Sequence, residues 1–140
     1  MDDRRILSKL REIEALLQEM EALRPSSFEH YTKSLQSRRA IEREFQILIE
    51  CVIDTCYMLT RELHLGPPAD DEQMLDILAT KLPFIEKVQA MKGFRNILVH
   101  KYGSVDDAKV YAFLSEHLSD FSEFITIIHA FLDKIKNCKK

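Results

Sequence analysis

The chain has 140 residues, the usual size of one domain with a single hydrophobic core. Hydrophobic residues make up 46% and charged residues 31%, a balance typical of globular proteins, and three Gly and four Pro are too few for an all-β chain with many tight turns. The net charge of −3 argues against nucleic-acid binding through bulk positive charge, although it leaves room for a local basic patch. The longest segment nearly free of charge, residues 45–60, contains Glu50 and Asp54. Because it is too short and too polar for a membrane span, we expect no membrane association.

The first predicted helix carries an apolar stripe at alternating steps of three and four residues. The stripe consists of Ile6, Leu10, Ile13, Leu17 and Met20. The helix is expected to end near Arg24-Pro25, because a residue before proline avoids the α conformation. Ser26 and Ser27 are then placed to cap the next helix.

Residues 28–63 predict a second helical region, kinked or broken near residues 34–37. Its second half is apolar on two sides, which is typical of a helix at the centre of a bundle. Gly66-Pro67-Pro68 is expected to end it.

Two further helices are predicted before residue 100. Asp70, followed by Gln73 three residues later, resembles a capping box that opens a short helix to about Thr80. Pro83 fits the first turn of the next helix, which is predicted to run to about Val99.

The last predicted helix follows Gly103, a typical stop signal, and Ser104, which with Asp107 forms an N-cap pattern. Apolar residues then recur at steps of four and three over residues 114–135, which predicts one long helix or two helices in line with a break near residues 117–119. The sequence therefore predicts an all-α bundle of five to six helices. We expect it to form one domain over the whole chain, residues 1–140.

The cysteines and histidines give no sign of a disulfide or metal site. Cys51, Cys56 and Cys138 are odd in number and contain no Cys-x-x-Cys pair, as expected for reduced thiols in a cytosol. The N-terminus has no apolar segment and carries acidic residues from the second position, so no signal peptide is expected. His30, His64, His117 and His129 also lack metal-ligand spacing. We therefore expect a cytoplasmic protein without a metal or another cofactor.

The helix after Pro83 breaks its own pattern at one position. Its predicted apolar stripe runs through Phe84, Val88, Met91, position 95 and Leu98, and position 95 is Arg. A guanidinium on a stripe that faces the core is costly unless it is paired or used. Asp54 and Glu50 are the candidate partners, and Asp54 in particular is expected to hold the Arg95 fork in place.

Arg95, Asn96, His100 and Tyr102 lie within eight residues and form a candidate site. Asn96 and His100 share a helix face because they are four residues apart, whereas Arg95 and His100 are separated by about 140° on an ideal helix. Arg95 and His100 converge on one ligand only if His100 sits where the helix ends or if two chains share the site. The alternative is that Arg95 makes a structural ion pair and His100 caps the helix C-terminus.

The segment Gly93-Phe94-Arg95-Asn96-Ile97-Leu98-Val99-His100-Lys101-Tyr102 resembles the Arg-x4-His signature of the HEPN superfamily. The tyrosine two residues after the histidine is similar to the HepT-like branch of that superfamily. The resemblance extends to residues 39–46 with Ile53-Asp54, which are similar to the long central helix of the family, and to residues 106–118, which are similar to the helix that follows the motif.

The resemblance implies a HEPN-like up-and-down bundle that works as a homodimer and cleaves tRNA or mRNA without a metal ion. It also implies a toxin of a type VII-like toxin–antitoxin system, whose antitoxin is a minimal nucleotidyltransferase. In that role His100 is the general base, Arg95 stabilises the phosphate, and Asn96 orients the phosphate or His100. Tyr102 is the residue to which the partner transfers AMP from ATP.

Two other interpretations remain open at this point. The chain is alternatively a non-catalytic HEPN module that binds a nucleotide or docks the nucleotidyltransferase, or a plain helical interaction protein, which the motif disfavours. Basic residues near the motif and on the central helix are candidates for an RNA path, or else they form ordinary surface ion pairs. These residues are Lys87, Lys92, Arg95, Lys101, Arg38, Arg39 and Arg43.

Overall fold

The computed structural model describes residues 1–98 and 104–138, and these residues form six α-helices and no β-strand. The prediction of an all-α bundle is therefore confirmed. In chain order the helices are α1 (Arg4–Leu23), α2 (Phe28–Lys33), α3 (Leu35–Glu62), α4 (Asp71–Ala79), α5 (Ile85–Leu98) and α6 (Asp107–Cys138).

The first two helix boundaries lie where the sequence predicts them. Helix α1 ends two residues before Pro25. The Ser27 side chain caps α2 by accepting a hydrogen bond from the backbone N–H of His30 at 3.1 Å. Ser34 caps α3 in the same way, accepting from the N–H of Ser37 at 3.1 Å. The predicted break near residues 34–37 is thus a true boundary between two helices.

Helix α3 is the centre of the bundle, because it contacts all five of the other helices. Its buried residues cover one broad face, whereas the second apolar side is only partly buried. Its buried polar residues include Thr55 and Thr60, whose hydroxyls donate to the carbonyls of Cys51 and Cys56 one turn earlier. These hydrogen bonds satisfy the hydroxyls inside an apolar environment, where an unpaired polar group would be costly.

Helix α4 begins with the predicted Asp70–Gln73 cap. Asp70 Oδ1 accepts from the N–H of Gln73 at 2.8 Å, and Gln73 Oε1 accepts from the N–H of Ala69 at 2.5 Å. The second bond reaches one residue further back than the standard capping box. The result is a fixed N-terminus for α4, with Asp71 as its first residue.

Helix α6 is a single unbroken helix, so no break occurs near residues 117–119. The prediction of Ser104 as its N-cap is wrong. Asp106 directly precedes the helix, and its Oδ1 accepts from the N–H of Lys109 at 3.2 Å, which leaves no capping role for Ser104. In the two described ranges, no helix combines the length and the apolar character that a bilayer crossing requires.

Candidate functional site

Arg95 lies beside the buried stripe of α5 and not on it. The buried residues of this helix are Ile85, Val88, Met91, Phe94 and Leu98. Phe94 is 5% exposed, whereas 31% of the Arg95 side chain is exposed. The predicted stripe is therefore wrong at one position, because α5 turns Phe94 and not Arg95 into the core. The guanidinium sits at the edge of the bundle, where solvent and a ligand can reach it.

Aromatic contacts fix this rotation of α5. The Phe94 ring stacks on Phe113 of α6, with centroids 3.8 Å apart and planes inclined by 4°. Phe45 of α3 meets both rings edge-on, at 5.4 Å from Phe94 and 5.3 Å from Phe113. Because Phe94 is held by two helices, the direction in which the neighbouring Arg95 points is set by the core.

The ion-pair partner of Arg95 is Asp71 at the start of α4. Arg95 Nη2 lies 3.5 Å from Asp71 Oδ2, and the two side chains are 31% and 26% exposed. The hydroxyl of Tyr57 on α3 donates to the other carboxylate oxygen, Oδ1, at 2.6 Å. This hydrogen bond, together with burial and the negative charge of Asp71, raises the pKa of Tyr57 to about 12. Arg95, Asp71 and Tyr57 therefore form a network across three helices.

The expectation that Asp54 holds Arg95 is wrong. The Asp54 carboxylate lies 3.9 Å from Lys9 Nζ of α1, and 57% of its side chain is exposed. Asp54 therefore pairs with a different helix, while Asp71 occupies the position next to Arg95. The sequence carries no local signal for the Arg95–Asp71 pair, because its members are 24 residues apart and belong to different helices.

The structure locates only part of the predicted motif. Asn96 is exposed on the last described turns of α5, next to Arg95. His100 and Tyr102 lie outside the described residues, so their predicted roles stay predictions.

Helix α3 touches the chain just before the motif histidine. Gln46 Nε2 donates to the backbone carbonyl of Leu98 at 3.5 Å, and Arg43 Nη1 donates to Gln46 Oε1 at 3.2 Å. Arg43 thus lies on the part of α3 that borders the C-terminal end of α5. The hydrogen bond of the Arg43 guanidinium thus goes to an amide oxygen and not to a carboxylate.

The other basic residues proposed for an RNA path are mostly paired. Arg38 Nη1 lies 2.8 Å from Asp107 Oδ2, and Arg39 Nη1 lies 2.6 Å from Glu42 Oε2. Lys87 Nζ lies 3.5 Å from Asp120 Oδ1 and 3.0 Å from Glu123 Oε2, both on α6. For these three residues the structure supports the alternative of ordinary ion pairs. Arg43 and Lys92 remain candidates for contact with a nucleic acid.

Acidic, histidine and cysteine side chains do not gather into a group of three or more that could hold a metal ion anywhere in the two described ranges. The described part of the site therefore consists of the Arg95 guanidinium at the bundle edge, the Asp71 carboxylate beside it, the Tyr57 hydroxyl that donates to Asp71, and the exposed Asn96 amide.

The fold and the motif together define the class of protein. Residues 6–128 match the family model described as "Ribonuclease HepT-like". Since that match spans most of the chain, the chain belongs to the HepT-like family of the HEPN superfamily, as the motif predicts.

Named relatives and solved structures agree with this class. A Shewanella oneidensis protein described as mRNA nuclease HepT is 32% identical over an alignment of 85 residues, which covers 58% of this chain and 64% of that protein. The match therefore covers less than two thirds of that relative's length. The structure of tri-AMPylated Shewanella oneidensis HEPN toxin in complex with MNT antitoxin is similar with a TM-score of 0.80 and 25% identity, covering 93% of this chain and 99% of that one. The cytosolic protein YutE from Bacillus subtilis shares the fold with a TM-score of 0.76 at 20% identity, covering 96% of this chain and 92% of that one.

Proposed function

We propose that this chain is a metal-independent endoribonuclease and the toxin of a toxin–antitoxin pair. The observation that carries the proposal is its membership of the HepT-like ribonuclease family, with Arg95, His100 and Tyr102 at the spacing of the family motif. The relative described as an mRNA nuclease and the HEPN toxin in complex with MNT antitoxin support the same role. The substrate is RNA, either mRNA or tRNA, and the site of action is the cytoplasm.

The proposed reaction uses the 2′-hydroxyl of RNA as the nucleophile. His100 takes the proton from this hydroxyl, because histidine is the side chain whose ordinary pKa suits a base near neutrality. The 2′-oxygen forms a bond to the adjacent phosphorus and the bond to the 5′-oxygen breaks. That oxygen takes up a proton from water as it leaves, His100 releases its own proton to the solvent, and the products carry a 2′,3′-cyclic phosphate and a 5′-hydroxyl. Since the nucleophile belongs to the substrate, no metal-bound water is required.

Arg95 and Asn96 supply the remaining groups of the proposed mechanism. The Arg95 guanidinium stabilises the negative charge that develops on the phosphate oxygens, and its planar donors suit two oxygens at once. Asn96 is exposed beside it and orients the phosphate or His100. The half-exposed position of Arg95 supports this role, because a guanidinium buried in the core could not meet a polymer.

We further propose that the active species is a homodimer, with the motifs of both chains facing one cleft. The argument is the separation of Arg95 and His100 by about 140° on an ideal helix. Two copies related by a two-fold axis would bring Arg95 of one chain toward His100 of the other.

Control of the toxin is proposed to act through Tyr102. A minimal nucleotidyltransferase partner transfers AMP from ATP to the Tyr102 hydroxyl, forming a bond between the phenolic oxygen and the α-phosphorus and releasing pyrophosphate. The added phosphodiester is anionic and bulky, so it repels and obstructs RNA beside the phosphate site. The similar structure of a tri-AMPylated HEPN toxin in complex with MNT antitoxin supports the modification of a HEPN toxin by this chemistry.

The test is cleavage of mRNA and total tRNA by the purified chain, compared with Arg95→Ala and His100→Ala. We expect the wild type to cleave RNA with EDTA present and both variants to lose cleavage while remaining folded by circular dichroism. Cleavage that survives His100→Ala, or that EDTA abolishes, would contradict the mechanism. A folded wild type that cleaves neither RNA but binds a nucleotide or the nucleotidyltransferase would favour the non-catalytic HEPN module instead.

A further inference from the structure

Asp71 makes two contacts that together fix the position of its carboxylate. One oxygen accepts from the Tyr57 hydroxyl at 2.6 Å and the other lies 3.5 Å from Arg95 Nη2. Asp71 is also the first residue of α4, where the partial positive charge of the helix N-terminus favours an anion. The carboxylate is thus held by two helices besides its own.

The Arg95 side chain needs such a contact to be useful in catalysis. An arginine side chain at the edge of a bundle has several rotatable bonds and loses rotamer freedom when it binds a phosphate. A carboxylate next to Nη2 restrains that freedom before the substrate arrives. Only one edge of the guanidinium is used by Asp71, so other N–H donors remain for phosphate oxygens.

We propose that Asp71, held by Tyr57, is a positioning residue that orients the Arg95 guanidinium for the scissile phosphate. This inference rests on the proposed function, in which Arg95 meets that phosphate. It adds to the motif a carboxylate and a phenol that the motif does not contain. Asp71 acts through Arg95 and needs no contact with RNA.

The experiment measures kcat and KM of the full chain on a short unstructured RNA oligonucleotide. Asp71→Ala is expected to lower kcat about tenfold while KM changes by less than about threefold, because a misplaced guanidinium stabilises the transition state less well. Tyr57→Phe keeps the ring and loses the hydroxyl, and it should lower kcat about threefold. Asp71→Asn keeps an oxygen toward Arg95, so its kcat should lie between the wild type and Asp71→Ala.

Asp70→Ala is the matched control. Asp70 is the neighbouring residue and caps the same helix, since its Oδ1 accepts from the N–H of Gln73. Its substitution loosens α4 without removing a contact to Arg95. We expect Asp70→Ala to lower the melting temperature at least as much as Asp71→Ala does, with kcat within about twofold of the wild type. Equal losses of kcat in the two variants would overturn the proposal, since Asp71 would then act only by stabilising α4.

A second readout does not depend on RNA cleavage. In the RNA-free protein, the NMR signals of the Arg95 guanidinium, assigned by their loss in Arg95→Lys, should broaden or shift in Asp71→Ala and stay in place in Asp70→Ala. Unchanged signals in Asp71→Ala would overturn the positioning role even if kcat falls. If the wild type cleaves no RNA, the proposed function fails, whereas this measurement still decides whether Asp71 holds Arg95.

Discussion

The rings of Phe94 and Phe113 are stacked with centroids 3.8 Å apart, and this contact determines the direction in which Arg95 leaves α5. Arg95 follows Phe94 in the chain, so any rotation of α5 that moves the buried ring also moves the guanidinium. A change in the packing of Phe94 is therefore expected to change the position of the Arg95 guanidinium as well.

Phe113→Leu tests this connection. The smaller side chain removes the stacked ring and should lower the free energy of unfolding by about 1–1.5 kcal/mol. It should also reduce RNA cleavage at a temperature where the protein is still folded, because α5 is less firmly held. The measurements are thermal unfolding and initial cleavage rates. Phe28→Leu is the control, since Phe28 is 43% exposed and contacts Tyr111 away from α5. Full activity in Phe113→Leu would contradict the claim that the Phe94–Phe113 stack determines the position of Arg95.

The proposed path of the RNA is tested at Arg43, which lies in the N-terminal half of α3, next to the C-terminal end of α5. Arg43→Ala should weaken RNA binding and reduce the slope of log K against log salt by about 0.7, the value for one lost phosphate contact with a single strand. The measurement is fluorescence anisotropy in the His100→Ala background, which is expected not to cleave the RNA. Arg11→Ala, an exposed arginine on α1, should leave the slope unchanged. Equal slopes for the two variants would remove Arg43 from the RNA path.

Mixing two inactive variants tests the shared cleft of the proposed homodimer. Arg95→Ala and His100→Ala should each be inactive alone, whereas co-expressed chains should regain part of the activity, because one mixed dimer supplies Arg95 from one chain and His100 from the other. Sedimentation should show a dimer at micromolar concentration. A monomer that cleaves RNA would contradict this arrangement. So would a mixed sample that stays inactive although mixed dimers form.

Tyr102→Phe tests whether neutralisation by the nucleotidyltransferase depends on a residue that RNA cleavage does not need. The variant should still cleave RNA, because the catalytic groups are unchanged, but it should resist neutralisation by a cognate nucleotidyltransferase and ATP. Peptide mass spectrometry of the wild type after co-expression should show one or more AMP units at Tyr102. AMP on Tyr31, Tyr57 or Tyr111 with an unmodified Tyr102 would show that the site is misassigned.

A pair of carboxyl groups between α1 and α3 makes stability depend on pH. Glu44 Oε2 is buried without a hydrogen-bond donor within residues 1–98 and 104–138. Burial, and then the hydrogen bond and charge of the neighbouring Glu19 carboxyl, raise the pKa of Glu44 above its ordinary value. The folded state thus binds this proton more tightly than the unfolded state, so its contribution to stability is present at low pH and is lost as pH rises through the folded pKa.

Glu44→Gln should therefore raise the melting temperature at pH 7 and bring no gain near pH 4. The measurement is thermal unfolding across this pH range. Glu14→Gln, an exposed glutamate on α1, is the control and should change the melting temperature little at either pH. An equal gain at pH 4 and pH 7 would show that the ionisation of Glu44 is not the cause.

The end of α1 and the starts of α2 and α4 followed from the sequence because they depend on local chemistry. Pro25, Ser27 and Asp70 act on neighbouring backbone groups, so their effects are visible within a few residues. The position of Arg95 was harder to predict, since steps of three and of four both fit a helical period and place either Phe94 or Arg95 in the core. Aromatic contacts with α3 and α6 decide between them.

The partner of Arg95 could not be found from spacing at all. Asp54 was the plausible candidate because it interrupts an apolar stretch, yet its carboxylate meets Lys9. Asp71 looks in the sequence like one of several acidic residues at the start of a helix. Its pairing depends on how α4 and α5 pack, which is a property of the whole bundle.

The location of Asp71 on α4, outside the motif, has an evolutionary consequence. If Asp71 positions Arg95 as proposed, a substitution at position 71 changes the rate of RNA cleavage while every residue from Arg95 to Tyr102 stays the same. Selection for weaker or stronger RNA cleavage would then have a route that leaves His100, the proposed general base, and Tyr102, the proposed AMP acceptor, unchanged. Two homologues with identical motifs can differ in activity for this reason, and α4 is the place to compare them.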